Sequence, residues 1–222
     1  MKERPILFSA PMVRALLAGT KTQTRRILKL KWGFDVEERD DGTLWPWAQH
    51  PDCDDDVWMP CPQGDIGDRL WVRETWAYGT HAMAAERDED GPFVYAADGT
   101  TQGRLCDRWT PSIHMPRWAS RISLEITALR AERLQDISDA DARAEGIECM
   151  AGDPECGYRN YLDQTSQDWS LSPRESFRSL WESINGPASW AKNPWVWVVE
   201  FKRVQQASSG RPSQLEDAPC NE

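Results

Sequence analysis

Chemistry in this chain concentrates in one short stretch, Leu17-Ala18-Gly19-Thr20-Lys21-Thr22-Gln23-Thr24-Arg25-Arg26. It crowds a lysine, three hydroxyls and two arginines together, so that a candidate nucleophile stands beside a candidate base. The bland alternative is a solvated strand with a basic face. Two features favour a site. Residues 1–31 hold eight Lys/Arg against one acid, Glu3, a local balance of +7 in a chain of net charge −10. The threonines are also interleaved with the cations rather than set apart from them.

The elements around this stretch must hold it in place. Residues 5–9 read as a short buried strand. Met12, Val13, Leu16 and Leu17 make an apolar stripe at helical spacing, with Ser9 as the N-cap and Pro11 in the first turn. Gly19 sits where a helix takes a left-handed C′ residue. The Thr-rich sequence after it favours an extended chain. In an ideal strand residues 21 and 24 face opposite sides, so pairing Lys21 with Thr24 requires Lys21 to lie in the turn or at a bulge.

Further strands are expected over residues 69–76, where Arg73 and Glu74 form a rim, over 93–96, over 121–130, where apolar and polar residues alternate, and over 195–204. Ser138-Asp139-Ala140-Asp141 starts a short helix that Gly146 stops. Glu145, in its last turn, is set against the helix dipole, and a residue held against a local rule is a functional candidate. Ser172-Pro173-Arg174-Glu175 opens a longer helix with Phe177, Leu180, Trp181 and Ile184 facing the core. Residues 109–121, held extended by Pro111 and Pro116, bring together His114, Arg117, Trp118 and Arg121, cations with an aromatic, which are the ingredients of phosphate contact and base stacking. Trp118 and Trp76 also read as core residues.

The chain has 222 residues, 40% hydrophobic, enough for one domain with a real core. Polar stretches at 31–63, 79–92 and 148–171 read as insertions, and 205–222 as a disordered tail. The acidic balance argues against indiscriminate binding of long nucleic acid and permits a small basic pocket in an acidic shell. The start, Met-Lys-Glu-Arg-Pro, has no apolar h-region behind it, and no apolar run approaches membrane-spanning length, so a cytoplasmic location is expected. Six cysteines contain no C-x-x-C pair and read as free thiols. A zinc site from His50, Cys53 and Cys61 is disfavoured by spacing, and no metal or cofactor is expected. With few crossover helices between strands, the fold class is α+β, a small, mostly antiparallel β-barrel with flanking helices and polar loop insertions.

Ala18-Gly19-Thr20-Lys21-Thr22-Gln23-Thr24-Arg25-Arg26, then Gly67-Asp68-Arg69-Leu70-Trp71-Val72 and Val198-Val199-Glu200-Phe201, resemble the ASCH domain, a PUA-like β-barrel family. With Arg73-Glu74-Thr75-Trp76 and His114-Met115-Pro116-Arg117-Trp118 the chain looks like the longer branch common in phages and prophages, over residues 5–204. The resemblance implies a partner that is RNA or a modified nucleoside or nucleotide. One small branch of the family hydrolyses N4-acetylcytidine to cytidine and acetate with a Lys, a Thr three residues later and a Glu in a short helix. The matching residues here are Lys21, Thr24 and Glu145, with Glu145 resting on a looser alignment. Arg25, Arg26, Arg73, Glu74, Trp76, His114, Arg117, Trp118 and Arg121 are the expected substrate contacts. Amide hydrolysis by this set requires the Lys21 pKa, about 10.4 when free, to fall by roughly three units. Burial and the charges of Arg25 and Arg26 push it that way. A non-catalytic RNA- or nucleotide-binding module and a single-stranded RNA nuclease are the alternatives.

Overall fold

The computed structural model describes residues 1–50, 55–79, 92–99, 106–150, 157–162, 172–204 and the backbone of 169–170. The expected tail at 205–222, nearly all of the expected insertion at 79–92 and Cys53 lie outside the described residues. The elements run β1 (Glu3–Leu7), α1 (Ala10–Ala18), β2 (Gln23–Ile27), β3 (Asp35–Glu38), β4 (Leu44–Gln49), β5 (Asp56–Trp58), β6 (Arg69–Arg73), β7 (Trp76–Tyr78), β8 (Phe93–Tyr95), β9 (Ser123–Arg133), α2 (Asp139–Ala144), β10 (Tyr158–Arg159), β11 (Trp169–Ser170), α3 (Pro173–Asn185) and β12 (Trp195–Val204). None of the helices among the described residues is long and apolar enough to cross a membrane.

The fold is mixed α+β and mostly antiparallel, as its residue patterns imply. The main sheet has the order β1-β6-β9-β12-β2, with β1–β6 its parallel pair. Its core is built from Leu70 and Val72 of β6, Leu124 and Ile126 of β9, and Val196 to Val199 of β12, all buried. Because β12 lies between β9 and β2 and is buried on both faces, its apolar residues run consecutively rather than alternating. The Gly67-Asp68 turn ties β6 to the chain start: the Asp68 carboxylate accepts the Lys2 N–H at 2.6 Å and the Asp65 N–H at 3.3 Å. These bonds hold the Asp68 carboxyl below its usual range.

The sheet is not closed into a barrel. Among the described residues β1 and β2 form its two margins and do not pair with each other. A side chain spans the gap instead: Arg26 Nη2 donates to the Leu7 carbonyl at 3.0 Å and Nη1 to Thr24 Oγ1 at 2.7 Å. A guanidinium with five donors can bridge two margins that lack backbone partners.

Three other expectations give way. Within 31–63, expected to be irregular, the chain forms the antiparallel sheet β3-β4-β5. Its Trp45 packs edge-on against Trp197 of β12 at 4.7 Å, burying an aromatic that an exposed loop would have left in water. Residues 109–121 are not simply extended. Pro111 and Pro116 each precede a 3₁₀ turn, Ser112–His114 and Arg117–Ala119, since proline fits the residue before such a turn as well as it fits extended chain. The strand expected over 69–76 breaks after Arg73, and Trp76 starts β7, paired with β8.

The two predicted helix starts form as expected. Ser138 Oγ accepts the Asp141 N–H, and Ser172 Oγ accepts the Glu175 N–H. Ser9 occupies the N-cap of α1 without a side-chain hydrogen bond. Gly19, at φ 77°, turns the chain out of α1. Gly146, at φ 80°, lets the end of α2 approach the turn before β2. A Cβ there would sit 2.7 Å from the Lys21 Cβ and 2.8 Å from the Ala15 Cβ. Gly146→Ala is therefore expected to lower stability by about 1–3 kcal/mol. Chemical denaturation reads this as a lower midpoint; an unchanged midpoint contradicts the close approach.

Candidate functional site

Lys21 lies in the turn, outside β2, where it forms an isolated antiparallel bridge with Glu145, the C-cap of α2. The Thr22 N–H donates to the Ala144 carbonyl at 2.9 Å, so the start of β2 is tied to the end of α2 by backbone as well. Lys21 Nζ spends its three donors on the Gln23 carbonyl at 2.9 Å, the Glu145 carbonyl at 2.7 Å and Glu145 Oε2 at 2.8 Å. Its side chain is 0% exposed. Burial drives the Lys21 pKa below its ordinary value, and Arg26 and Arg25 push the same way against the opposing pull of Glu145.

Glu145 holds two cations. Its Oε1 accepts from Arg25 Nη1 at 3.1 Å while Oε2 takes Lys21. Arg25 also donates from Nε and Nη2 to Glu132 Oε1, at 2.9 and 2.6 Å. Arg130 adds bonds to Glu132, Asp141 and Glu200. The pairing register explains the cluster: Arg25, Val198 and Arg130 lie abreast on β2, β12 and β9, so their side chains share one face with Gln23, Glu132 and Glu200. Asp141 of α2 covers that face, accepting from Gln23 Nε2 at 3.0 Å. Glu132, Asp141 and Gln23 carried no signal as site residues, because their partners lie far off in sequence.

Thr24 and Arg26 point to the opposite face of β2. Thr24 is fully buried, and its Oγ1 accepts from Arg26 at 2.7 Å. Thr24 and Lys21 do not hydrogen-bond to each other among the described residues. A cationic donor on Oγ1 stabilises its alkoxide form and leaves the hydroxyl proton to point elsewhere.

A cavity of about 430 Å³ wraps the unpaired edge of β2. Thr24 and Arg26 reach it from one face of the strand, Arg25 and Ile27 from the other, and Glu145 from the end of α2. Apolar walls come from Phe8 and Met12 on one side and Phe177, Leu180 and Trp181 of α3 on the other. Ile184, expected to face the core, is 58% exposed and ends the stripe at this cavity. The Trp181 indole N–H is buried and has no acceptor among the described residues.

The remaining expected contacts are engaged elsewhere. Arg73 donates to the Met115 carbonyl at 2.9 Å, not to Glu74. Glu74 is buried and takes Arg121 Nε and Nη2 at 2.9 and 3.0 Å, and Arg121 also holds Asp98. Burial raises the Glu74 carboxyl against the pull of Arg121. Arg117 pairs with Glu3 at 3.0 Å. Trp76 is buried with Met115 and Ala119. Trp118, 42% exposed, packs edge-on against Trp76. His114 is exposed on its 3₁₀ turn. Of the expected substrate contacts, the cavity wall contains Arg25 and Arg26.

Comparison with protein-family models, with curated proteins and with solved structures yields no match.

The depressed Lys21 pKa has a sign that can be measured. Between its folded value and the ordinary 10.5 the unfolded chain binds more protons than the folded one, so this lysine makes stability rise with pH in that window. Tyr95 and Tyr161, both pushed up to about 12 by burial, act with the opposite sign above pH 10 and cancel in a difference. The stability of the wild type minus that of Lys21→Met is expected to increase from pH 8 toward 10 in urea titrations. A flat or falling difference contradicts the placement of the lysine.

Proposed function

We propose that this chain is an ASCH-type protein of PUA-like descent. Its cavity binds an N-acylated, cytidine-type nucleoside and hydrolyses the exocyclic amide. One observation carries the reading: Thr24 and Glu145, from β2 and the end of α2, share a cavity wall, and Lys21 lies 2.8 Å behind the Glu145 carboxylate. Lys21 does not line the cavity and reaches it through Glu145, so the support is that two of the three residues implied by the resemblance line one cavity and the third is bonded to one of them. The cavity is of nucleoside size, apolar on its flanks and polar at β2, as small-molecule sites usually are.

In this reading Thr24 Oγ1 attacks the acyl carbonyl carbon, and its proton leaves across the cavity for the Glu145 carboxylate, which Lys21 and Arg25 hold in place. The Arg26 guanidinium, already 2.7 Å from Oγ1, faces the charge that develops on the carbonyl oxygen. The C–N bond breaks as the exocyclic nitrogen takes the proton back, and water then hydrolyses the Thr24 ester to release the acid.

Binding without turnover is the second reading. The observation that favours it is that all three Lys21 donors are occupied and none meets Thr24. An extended RNA contact has less support, because Arg73, Arg117 and Arg121 are held by partners within the chain.

Wild-type protein incubated with N4-acetylcytidine is expected to release acetate and cytidine, measured by chromatography. Thr24→Ala and Lys21→Ala are each expected to slow release at least about 100-fold, with folding checked by thermal melting. Calorimetric binding of the nucleoside without any release selects the binding module. Neither binding nor release, with any acylated nucleoside, overturns both.

A further inference from the structure

The outer edge of β2 carries backbone groups that turn away from the sheet. Leu28 N–H donates to the Trp195 carbonyl at 2.9 Å, and Phe201 N–H to the Thr22 carbonyl at 2.8 Å. In an antiparallel ladder this phase makes residues 22, 24, 26 and 28 the hydrogen-bonded partners of β12. The N–H and C=O of Gln23, Arg25 and Ile27 therefore point away from β12. The Gln23 carbonyl is taken by Lys21 and the Arg25 carbonyl by Arg26. No acceptor meets the Arg25 N–H, and neither the N–H nor the C=O of Ile27 is engaged, among the described residues. Arg25 is buried, Ile27 is exposed at 43%, and both line the cavity. At this exposed rim of the cavity, water serves such outward groups and a ligand that supplies a donor and an acceptor can replace it.

We propose that the outward amide pair of Ile27 reads the base. Its N–H donates to a ring-nitrogen acceptor, and its C=O accepts from the neighbouring exocyclic N–H. This is the donor–acceptor pairing that a second strand would make, offered to a heterocycle instead. At about 430 Å³ the cavity has room for one nucleoside and not for a paired strand of several residues. The chemistry selects an aminopyrimidine edge, a ring nitrogen beside an exocyclic N–H, over a base with a blocked or carbon-substituted position there. The inference rests on the nucleoside reading above and names which atoms of the chain recognise the base.

Proline supplies a selective probe. Ile27→Pro deletes an N–H that makes no bond to β12, and proline is tolerated on a strand edge whose N–H faces outward. Ile27→Ala keeps the N–H and controls for the lost side chain. Calorimetry with cytidine is expected to show affinity about five- to tenfold weaker for Ile27→Pro than for Ile27→Ala. The wild type is expected to lose a similar factor with 3-deazacytidine, which carries C–H in place of the ring nitrogen, while Ile27→Pro no longer distinguishes the two nucleosides. If the proline variant fails to fold, the wild-type ratio of cytidine to 3-deazacytidine decides alone. Equal wild-type affinity for the two nucleosides, or cytidine affinity unchanged in a folded Ile27→Pro, overturns this inference and leaves the nucleoside reading standing. A wild type that binds no cytidine or acetylcytidine overturns both.

Discussion

A buried carboxylate that holds two buried cations governs the rest of this structure. Glu145 takes Lys21 on one oxygen and Arg25 on the other, and all three side chains are almost fully withdrawn from water. Ions in such a place persist only when geometry and additional hydrogen bonds compensate the lost hydration. The surrounding chain supplies both. Two carbonyls complete the ammonium, and Glu132 and Asp141 complete the guanidinium. Several local features then have one cause. Helix α2 ends at Glu145 because the carboxylate is needed at the turn before β2. The next residue is glycine because the Lys21 Cβ fills the space where another Cβ would stand. Helix α1 ends in a left-handed glycine because the chain must turn at once to present Lys21.

The same network explains an imbalance in the sequence. A run of cations near the start of an acidic chain suggests a surface awaiting an anion. In the folded chain the deepest of those cations, Lys21 and Arg25, are matched by Glu132 of β9 and by Asp141 and Glu145 at α2, and Arg14 pairs with Glu148. What lines the cavity is one guanidinium, Arg26, already bonded to the Thr24 hydroxyl and to the Arg25 and Leu7 carbonyls, beside the edge of β2 at Arg25 and Ile27. Such a site suits a polar, largely uncharged heterocycle better than a polyphosphate or a long RNA, whose binding depends on cations free to displace counterions.

Much of this fold was legible because it follows local rules. The 3.6-residue stripes, the Ser138 and Ser172 caps and the apolar run at 195–204 each fix an element from its own residues. The misses have a different origin. The sheet β3-β4-β5 was obscured by its many acids, although Asp41-Gly42 is a strong hairpin signal between Val36 and Trp45. What stabilises that sheet is Trp45 packing on Trp197, a contact across most of the chain. Ile184 kept the helical period yet faces a cavity, since periodicity gives a side and not what lies beyond it. At the site, the motif pointed to Lys21 and Thr24, while Glu145 stood out by its place against the helix dipole and by a looser family alignment. Glu132 and Asp141 were invisible, because a carboxylate becomes the partner of Arg25 only once three strands and a helix are assembled.

The open margin of the sheet follows from this balance. An unpaired edge such as that of β2 invites pairing with other chains, and proteins usually block it with charge, a bulge or a covering element. Here Arg26 reaches across to Leu7, and α3 lays Phe177, Leu180 and Trp181 over the opening, so the edge is shielded without being satisfied. A backbone ladder between β1 and β2 would have used the amides of Arg25 and Ile27 and filled the space beside Thr24. Leaving that last pairing unmade, with one guanidinium as the tie, is what gives the fold a cavity beside Thr24 and Arg26.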